Sequence, residues 1–203
     1  MMWTAAAIGA LLGNGLLPLS DRWCSRSTGT RNRVLAATLL GGVYAALGAK
    51  GSVRSTNSAW TFLGFAVLAA IGLLLARVDL AVFRLPDALT LPAYPLVGLP
   101  LFLGNPDGLG RAVAAASVCL GGYGLLCALG GLGFGDVKLG GLLGMALGWL
   151  SWNAVVIGTV VALILGAVHA LVAVAVHRGG RRTPVPYGPA MLAGCLLAVM
   201  AAT

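Results

Sequence analysis

Residues 62–78 read FLGFAVLAAIGLLLARV, an apolar run that meets no charge until Arg77. A segment of this length and composition predicts a helix that crosses a bilayer rather than one covering a soluble core. The same pattern recurs along the chain. Breaks at charges and at Gly/Pro and Asn clusters leave about eight apolar segments, roughly 2–20, 34–49, 59–78, 88–104, 112–130, 137–150, 153–176 and 190–202. The 203 residues are 59% hydrophobic and 9% charged, with a mean hydropathy of +0.97. In water such a chain would leave far more apolar surface than it could bury. The expectation is an all-α, polytopic membrane helix bundle of about eight transmembrane helices. It forms a single membrane-embedded domain over residues 1–203, with no room for a separate soluble one. Because further spans follow it, Met1–Leu19 reads as a first helix rather than a cleaved signal. The break at Ser151-Trp152-Asn153 is the weakest, and merging its neighbours would give seven spans.

A net charge of +8 raises nucleic acid as a partner, but the basic residues stand singly or in small groups between apolar runs, as in cytoplasmic loops. The implied partner is the lipid bilayer, with no nucleic acid. With eight spans and the N-terminus outside, one face receives Arg22, Arg26, Arg31, Arg33, Arg77, Arg84, Lys138, Arg178, Arg181 and Arg182. The other receives Lys50, Arg54 and Arg111. This bias puts both termini outside and the first face in the cytoplasm. A seven-span chain would place the group Arg178–Arg182 outside. The four cysteines, Cys24, Cys119, Cys127 and Cys195, form no C-x-x-C pair, so no zinc site or disulfide framework is expected. The last three lie in apolar segments and read as small hydrophobes. Gly140, Gly144 and Gly148 repeat every four residues, a spacing that lets membrane helices approach closely.

There is no glutamate, and the five acids are Asp21, Asp79, Asp87, Asp107 and Asp136. Asp107 lies in GNPDGLG, which is turn chemistry. Asp21 follows the first span as a solvated end residue. Asp87, after Pro86, is placed to cap the next helix with its carboxylate. Asp79 follows the apolar run almost without a polar buffer. An ionisable group there costs a few kcal/mol on insertion scales and invites a functional reading beside the plainer one of pairing with Arg77 or Arg84. Asp136 sits in GFGDVKLG, where Gly133 and Gly135 remove side-chain bulk and let a backbone approach the carboxylate. Asp79 and Asp136 both fall at the cytoplasmic surface. Two carboxyl groups held close do not both ionise cheaply. One keeps a proton while the other stays anionic, which supplies a base to activate water and an acid for a leaving group.

These residues resemble the bacterial prepilin peptidases (type IV prepilin leader peptidases), membrane aspartic proteases of the GxGD type. GFGDVKLGGLLG is similar to that family's signature around its second catalytic aspartate, and VDLAVFRLPDALTLPAYPLVGL to the segment around the first. PVPYGPAMLAG resembles the segment that leads into the family's last helix. The resemblance implies that Asp79 and Asp136 are the catalytic pair, working without metal or other cofactor in the inner membrane of a bacterium. Its substrates would be type IV prepilin-like precursors, cut after a glycine at the cytoplasmic face. Gly133, Gly135, Lys138, Pro86 and Asp87 would support the substrate and the loops. Gly133 and Gly135 would admit the substrate backbone, and Lys138 would either favour ionisation of the pair or serve as a cytoplasmic anchor.

Bifunctional members carry a cytoplasmic loop with two C-x-x-C pairs that is associated with N-methylation. The corresponding stretch here, about Asp21 to Arg33, has one cysteine, so peptidase activity alone is expected. Residues 1–60 match the family poorly. Two other readings compete. A transporter or proton relay would use membrane-depth ionisable groups, of which only His169 is a candidate, and that residue reads more readily as a buried histidine bonded to a neighbouring helix. A catalytically silent factor in pilus or secretion assembly is the second.

Overall fold

Backbone that passes through hydrocarbon must satisfy its own hydrogen bonds, which leaves helices and closed barrels as the available structures. The computed structural model describes residues 6–12, 15, 37–43, 45, 56–83, 85–130, 132–177 and 186–202, and among them every regular element is a helix. Residues 6–12 (α1) and 37–43 (α2) are helical. They are followed by α3 (Thr56–Val82), α4 (Asp87–Gly104), a 3-10 turn (Pro106–Gly108), α5 (Leu109–Ala128), α6 (Phe134–Leu150), α7 (Trp152–His177) and α8 (Gly188–Ala202). Among the described residues four stretches are long and apolar enough to cross a membrane: Ala59–Val82, Asp87–Gly104, Pro106–Ala128 and Trp152–Val172. The architecture is that of a polytopic helical membrane protein.

The weakest break in the sequence is real. Helix α6 ends at Leu150, and Ser151 takes extended angles of φ −169° and ψ 161°. Its Oγ then accepts the Ala154 N–H at 3.1 Å, so Ser151 caps the start of α7.

Helix α6 sits at the centre, packed against α4, α5, α7 and α8. Its 17 residues span about 25 Å. The glycine repeat explains how so apolar a helix is enclosed. A methyl group at Gly144 would lie 2.7 Å from Cys119 Sγ and 3.0 Å from the Ala115 carbonyl, while Gly140 abuts the Tyr123 ring and Gly148 abuts Ala115. Ala115, Cys119 and Tyr123 form a four-residue repeat on α5 that runs antiparallel to the glycines. Close backbone approach supplies dispersion contacts where lipid removes the hydrophobic drive. Cys119 and Cys195 are buried as small hydrophobes, and Cys127 is half-buried.

At the end of the bundle where α6 terminates, the Arg111 guanidinium donates to the carbonyls of Gly148, Trp149 and Leu150 at 2.6, 2.7 and 3.0 Å. These are terminal carbonyls that have no partner within their own helix. Beside them the Trp149 indole N–H donates to the Asn105 carbonyl at 3.1 Å. Asp107 forms the turn its sequence predicts, its N–H bonded to Asn105 Oδ1 at 3.1 Å. The C-terminal end of α3 and the N-terminal ends of α4, α6 and α8 gather at the opposite end, where the conspicuous acids lie.

Candidate functional site

Asp79 is in the last turn of α3, which closes at Phe83. The Phe83 N–H returns to the Asp79 carbonyl at 2.8 Å, and Phe83 adopts a left-handed φ of 54°. A branched or bulky residue rarely occupies that region, so the reversal after Asp79 holds some backbone strain. Asp79 is only 4% exposed. Its Oδ2 accepts the Gly188 N–H at 2.8 Å, a contact between residues 109 apart in sequence.

Asp136 is the third residue of α6, just before the apolar run 137–150. It caps its own helix reciprocally: Oδ2 accepts the Gly133 N–H at 3.1 Å while the Asp136 N–H donates to the Gly133 carbonyl at 3.0 Å. Burial, then the charge of Asp79, pushes the Asp136 carboxyl up to about 6, against the opposing pull of the Gly133 N–H. Burial and then the charge of Asp136 likewise push the Tyr187 phenol up to about 12. The fold therefore brings Asp136 within electrostatic reach of both Asp79 and Tyr187. Tyr187 itself is anchored to α7, donating its hydroxyl to the Ala162 carbonyl at 3.2 Å.

The supporting residues have definite partners. Gly135 does face a backbone, but it is the chain's own: a methyl group there would lie 2.9 Å from Leu85 Cβ and 3.4 Å from Leu85 N. Gly133 is exposed beside Asp136. Pro86 rather than Asp87 is the residue at the α4 cap, and its carbonyl accepts the N–H groups of Leu89 and Thr90 at 3.0 and 3.2 Å. No side chain caps this helix end. Asp87, inside the first turn, instead takes Lys138 Nζ at 2.6 Å, so the capping expectation for its carboxylate does not hold. Lys138 points to Asp87 and lies over the Phe134 ring, 4.9 Å from its centroid. Its carbonyl accepts the Tyr94 hydroxyl at 2.7 Å. Three contacts, Leu85 on Gly135, Asp87 on Lys138 and Tyr94 on the Lys138 carbonyl, thus bind the α3–α4 turn and the first half of α4 to the start of α6.

His169 is exposed on α7, which overturns its reading as a buried, helix-bonded histidine. An all-apolar helix offers no polar face to show which side turns outward. Asp21, Cys24, Arg84 and the group Arg178–Arg182 lie outside the described residues, as does the stretch 21–33. Tyr94, Tyr187 and Gly188 are the site neighbours that residue chemistry did not single out, although PVPYGPAMLAG contains two of them.

The arrangement can perform general acid–base chemistry: two carboxyl groups at one end of a bundle, one of them pushed up to about 6. Comparisons with known proteins point the same way. The model of the type IV leader peptidase family matches residues 66–171, just over half of the chain and inclusive of both aspartates. A protein of Aeromonas salmonicida (strain A449) named prepilin leader peptidase/N-methyltransferase is 32% identical over 142 residues, covering 64% of this chain and 46% of that protein. A protein of the same name from Burkholderia pseudomallei (strain K96243) is 33% identical over 142 residues, covering 64% and 45%. The chain thus spans less than half the length of the curated relatives it matches. No solved structure matches it. With both aspartates inside the matched span and gathered at one end of an all-helical bundle, the chain belongs to the type IV leader peptidase family.

Proposed function

We propose that this chain is a membrane aspartic endopeptidase that removes the leader of type IV prepilin-like precursors, cutting after a glycine at the cytoplasmic face of a bacterial inner membrane. The observation that carries the reading is the meeting of two acids from different helices, Asp79 at the end of α3 and Asp136 at the start of α6, at one end of the bundle, where the charge of Asp79 bears on Asp136. The bias of Lys and Arg toward the loops on that side supports the cytoplasmic orientation. Both aspartates stand at helix ends rather than at mid-bundle depth, which favours hydrolysis over a proton relay.

In this mechanism one carboxylate takes a proton from a water held between the pair, and the water oxygen attacks the carbonyl carbon of the scissile peptide. The partner carboxyl gives its proton to the departing amine, so a C–O bond forms, the C–N bond breaks and the pair ends with one proton, as it began. No metal or nucleophilic side chain enters. Lys138 acts through Asp87 to set the approach of the two segments rather than as a charge beside the pair. Peptidase activity alone is proposed, because residues 21–33 contain no C-x-x-C pair.

The test is cleavage of a co-expressed prepilin-like precursor by wild type, Asp79→Asn and Asp136→Asn at matched membrane levels, read as mass loss. Loss of cleavage in each variant supports the reading. Persistence in either removes that aspartate from the pair, and a panel of precursors left uncut by wild type overturns the activity. Mass gain of a methyl group on the new N-terminus would contradict the peptidase-only proposal.

A further inference from the structure

Gly188 opens α8 directly after Pro186 and Tyr187. Glycine often takes such a position through a left-handed backbone, but Gly130 is the described glycine with positive φ, and Gly188 is helical. A helical residue directly before Pro189 is itself easier without a Cβ, which is one reason for glycine here. Space is the second: a methyl group at position 188 would lie 2.8 Å from Asp79 Oδ2, 3.3 Å from Cγ and 3.5 Å from Cβ. These atoms belong to a short, buried side chain with few ways to yield, and Oδ2 is the atom the Gly188 N–H holds at 2.8 Å. The segment carrying that N–H is itself fixed, since the Tyr187 ring packs on Gly166 and its hydroxyl bonds the Ala162 carbonyl.

We infer that Gly188 is a positioning residue for Asp79: its N–H grips Oδ2, and its missing side chain leaves that carboxylate the room it occupies, so that Oδ1 remains for water and substrate. Tyr187 is the strut that ties this grip to α7. The inference rests on the peptidase reading for its consequence in catalysis, but the grip itself is a property of the fold. A carboxylate displaced by about 1 Å loses rate on the order of 100-fold, because reacting atoms must be held in near-attack geometry.

The experiment compares wild type with Gly188→Ala in two independent ways. The first is steady-state cleavage of a prepilin-like precursor, where kcat is expected to fall roughly 100-fold with KM held within about 2-fold. The second needs no activity: pH-controlled labelling of Asp79 by a hydrophobic carbodiimide, read by peptide mass spectrometry. Asp79 is buried in wild type and labels slowly, and eviction by the new methyl group is expected to raise its labelling rate. Cleavage within about 3-fold of wild type, or unchanged Asp79 labelling, overturns the inference. If wild type cuts no precursor, the peptidase reading fails while the labelling arm still decides the grip. Should Gly188→Ala not accumulate, the Gly188 amide proton is followed by NMR in glycine-labelled wild type and Asp79→Asn. An upfield move on loss of the carboxylate charge is expected, and an unmoved resonance refutes the contact.

Discussion

Asp136→Asn should make the protein more stable in alkaline solution while leaving acid stability unchanged. The Asp136 carboxyl stands at about 6 in the folded protein against 3.8 as an ordinary aspartate, mainly because it is buried and secondarily because Asp79 is near. At 1.36 kcal/mol per pH unit, ionising it in the fold costs at most about 3 kcal/mol more than ionising it in the unfolded chain, and less to the extent that solvent screens this half-buried group. Below about pH 3.8 both states are protonated, and no penalty exists. Between there and about pH 6 the unfolded chain ionises while the fold does not, and stability drains away. Above about pH 6 the full penalty is present. Asparagine keeps the oxygen that accepts the Gly133 N–H and never ionises. The assay is thermal or denaturant unfolding of both detergent-solubilised proteins from pH 3.5 to 8.5, taken as their difference so that other titrating groups cancel. The gap should be near zero at the acid end, open across roughly pH 4–6 and level off at no more than about 3 kcal/mol in favour of Asn. Adding Asp79→Asn to both proteins should shrink the gap without closing it, because burial is the larger cause. A gap independent of pH, or a wild type that is the more stable at pH 8, would refute the reasoning.

Two further expectations concern packing and the tie between the site's segments. Gly144→Ala forces a methyl group against Cys119 Sγ and the Ala115 carbonyl and should cost about 1–3 kcal/mol of stability, whereas Gly121→Ala, with nothing within 4 Å, should be neutral or stabilising by up to about 1 kcal/mol; paired unfolding curves check both, and equal effects would contradict the α5–α6 contact. Asp87→Ala or Lys138→Ala removes a half-exposed ion pair worth no more than about 1 kcal/mol to the fold, yet should lower cleavage well beyond that stability loss, with the exchange Asp87→Lys plus Lys138→Asp recovering much of the rate. Cleavage that follows stability alone would make the pair a mere surface contact.

Much of this fold is legible in one dimension because a bilayer imposes simple rules. Apolar runs become helices, breaks become turns, and a glycine every fourth residue becomes a contact stripe, as Gly140, Gly144 and Gly148 of α6 do against α5. Chain parity does the rest: alternate segment ends share a face, so Asp79 and Asp136 could be assigned to one side before any contact was known. Asp107 in its turn was equally readable, since turn chemistry is local.

Contacts across the bundle were not. Helices apolar on all sides carry no stripe to say which face turns inward, so the exposure of His169 and the burial of Asp79 depended on packing. The same holds for side chains at helix ends, where several partners compete within reach: Asp87 had a cap to make and made an ion pair with Lys138, 51 residues away. Sequence alone determined the class of fold, the order of its helices and the two aspartates worth suspecting, because hydrophobic length and local turn chemistry are properties of contiguous residues. Tertiary structure alone decided that Leu85 fills the space beside Gly135 and that Gly188 holds Asp79, because close approach between distant segments depends on how each helix is rotated and seated against its neighbours.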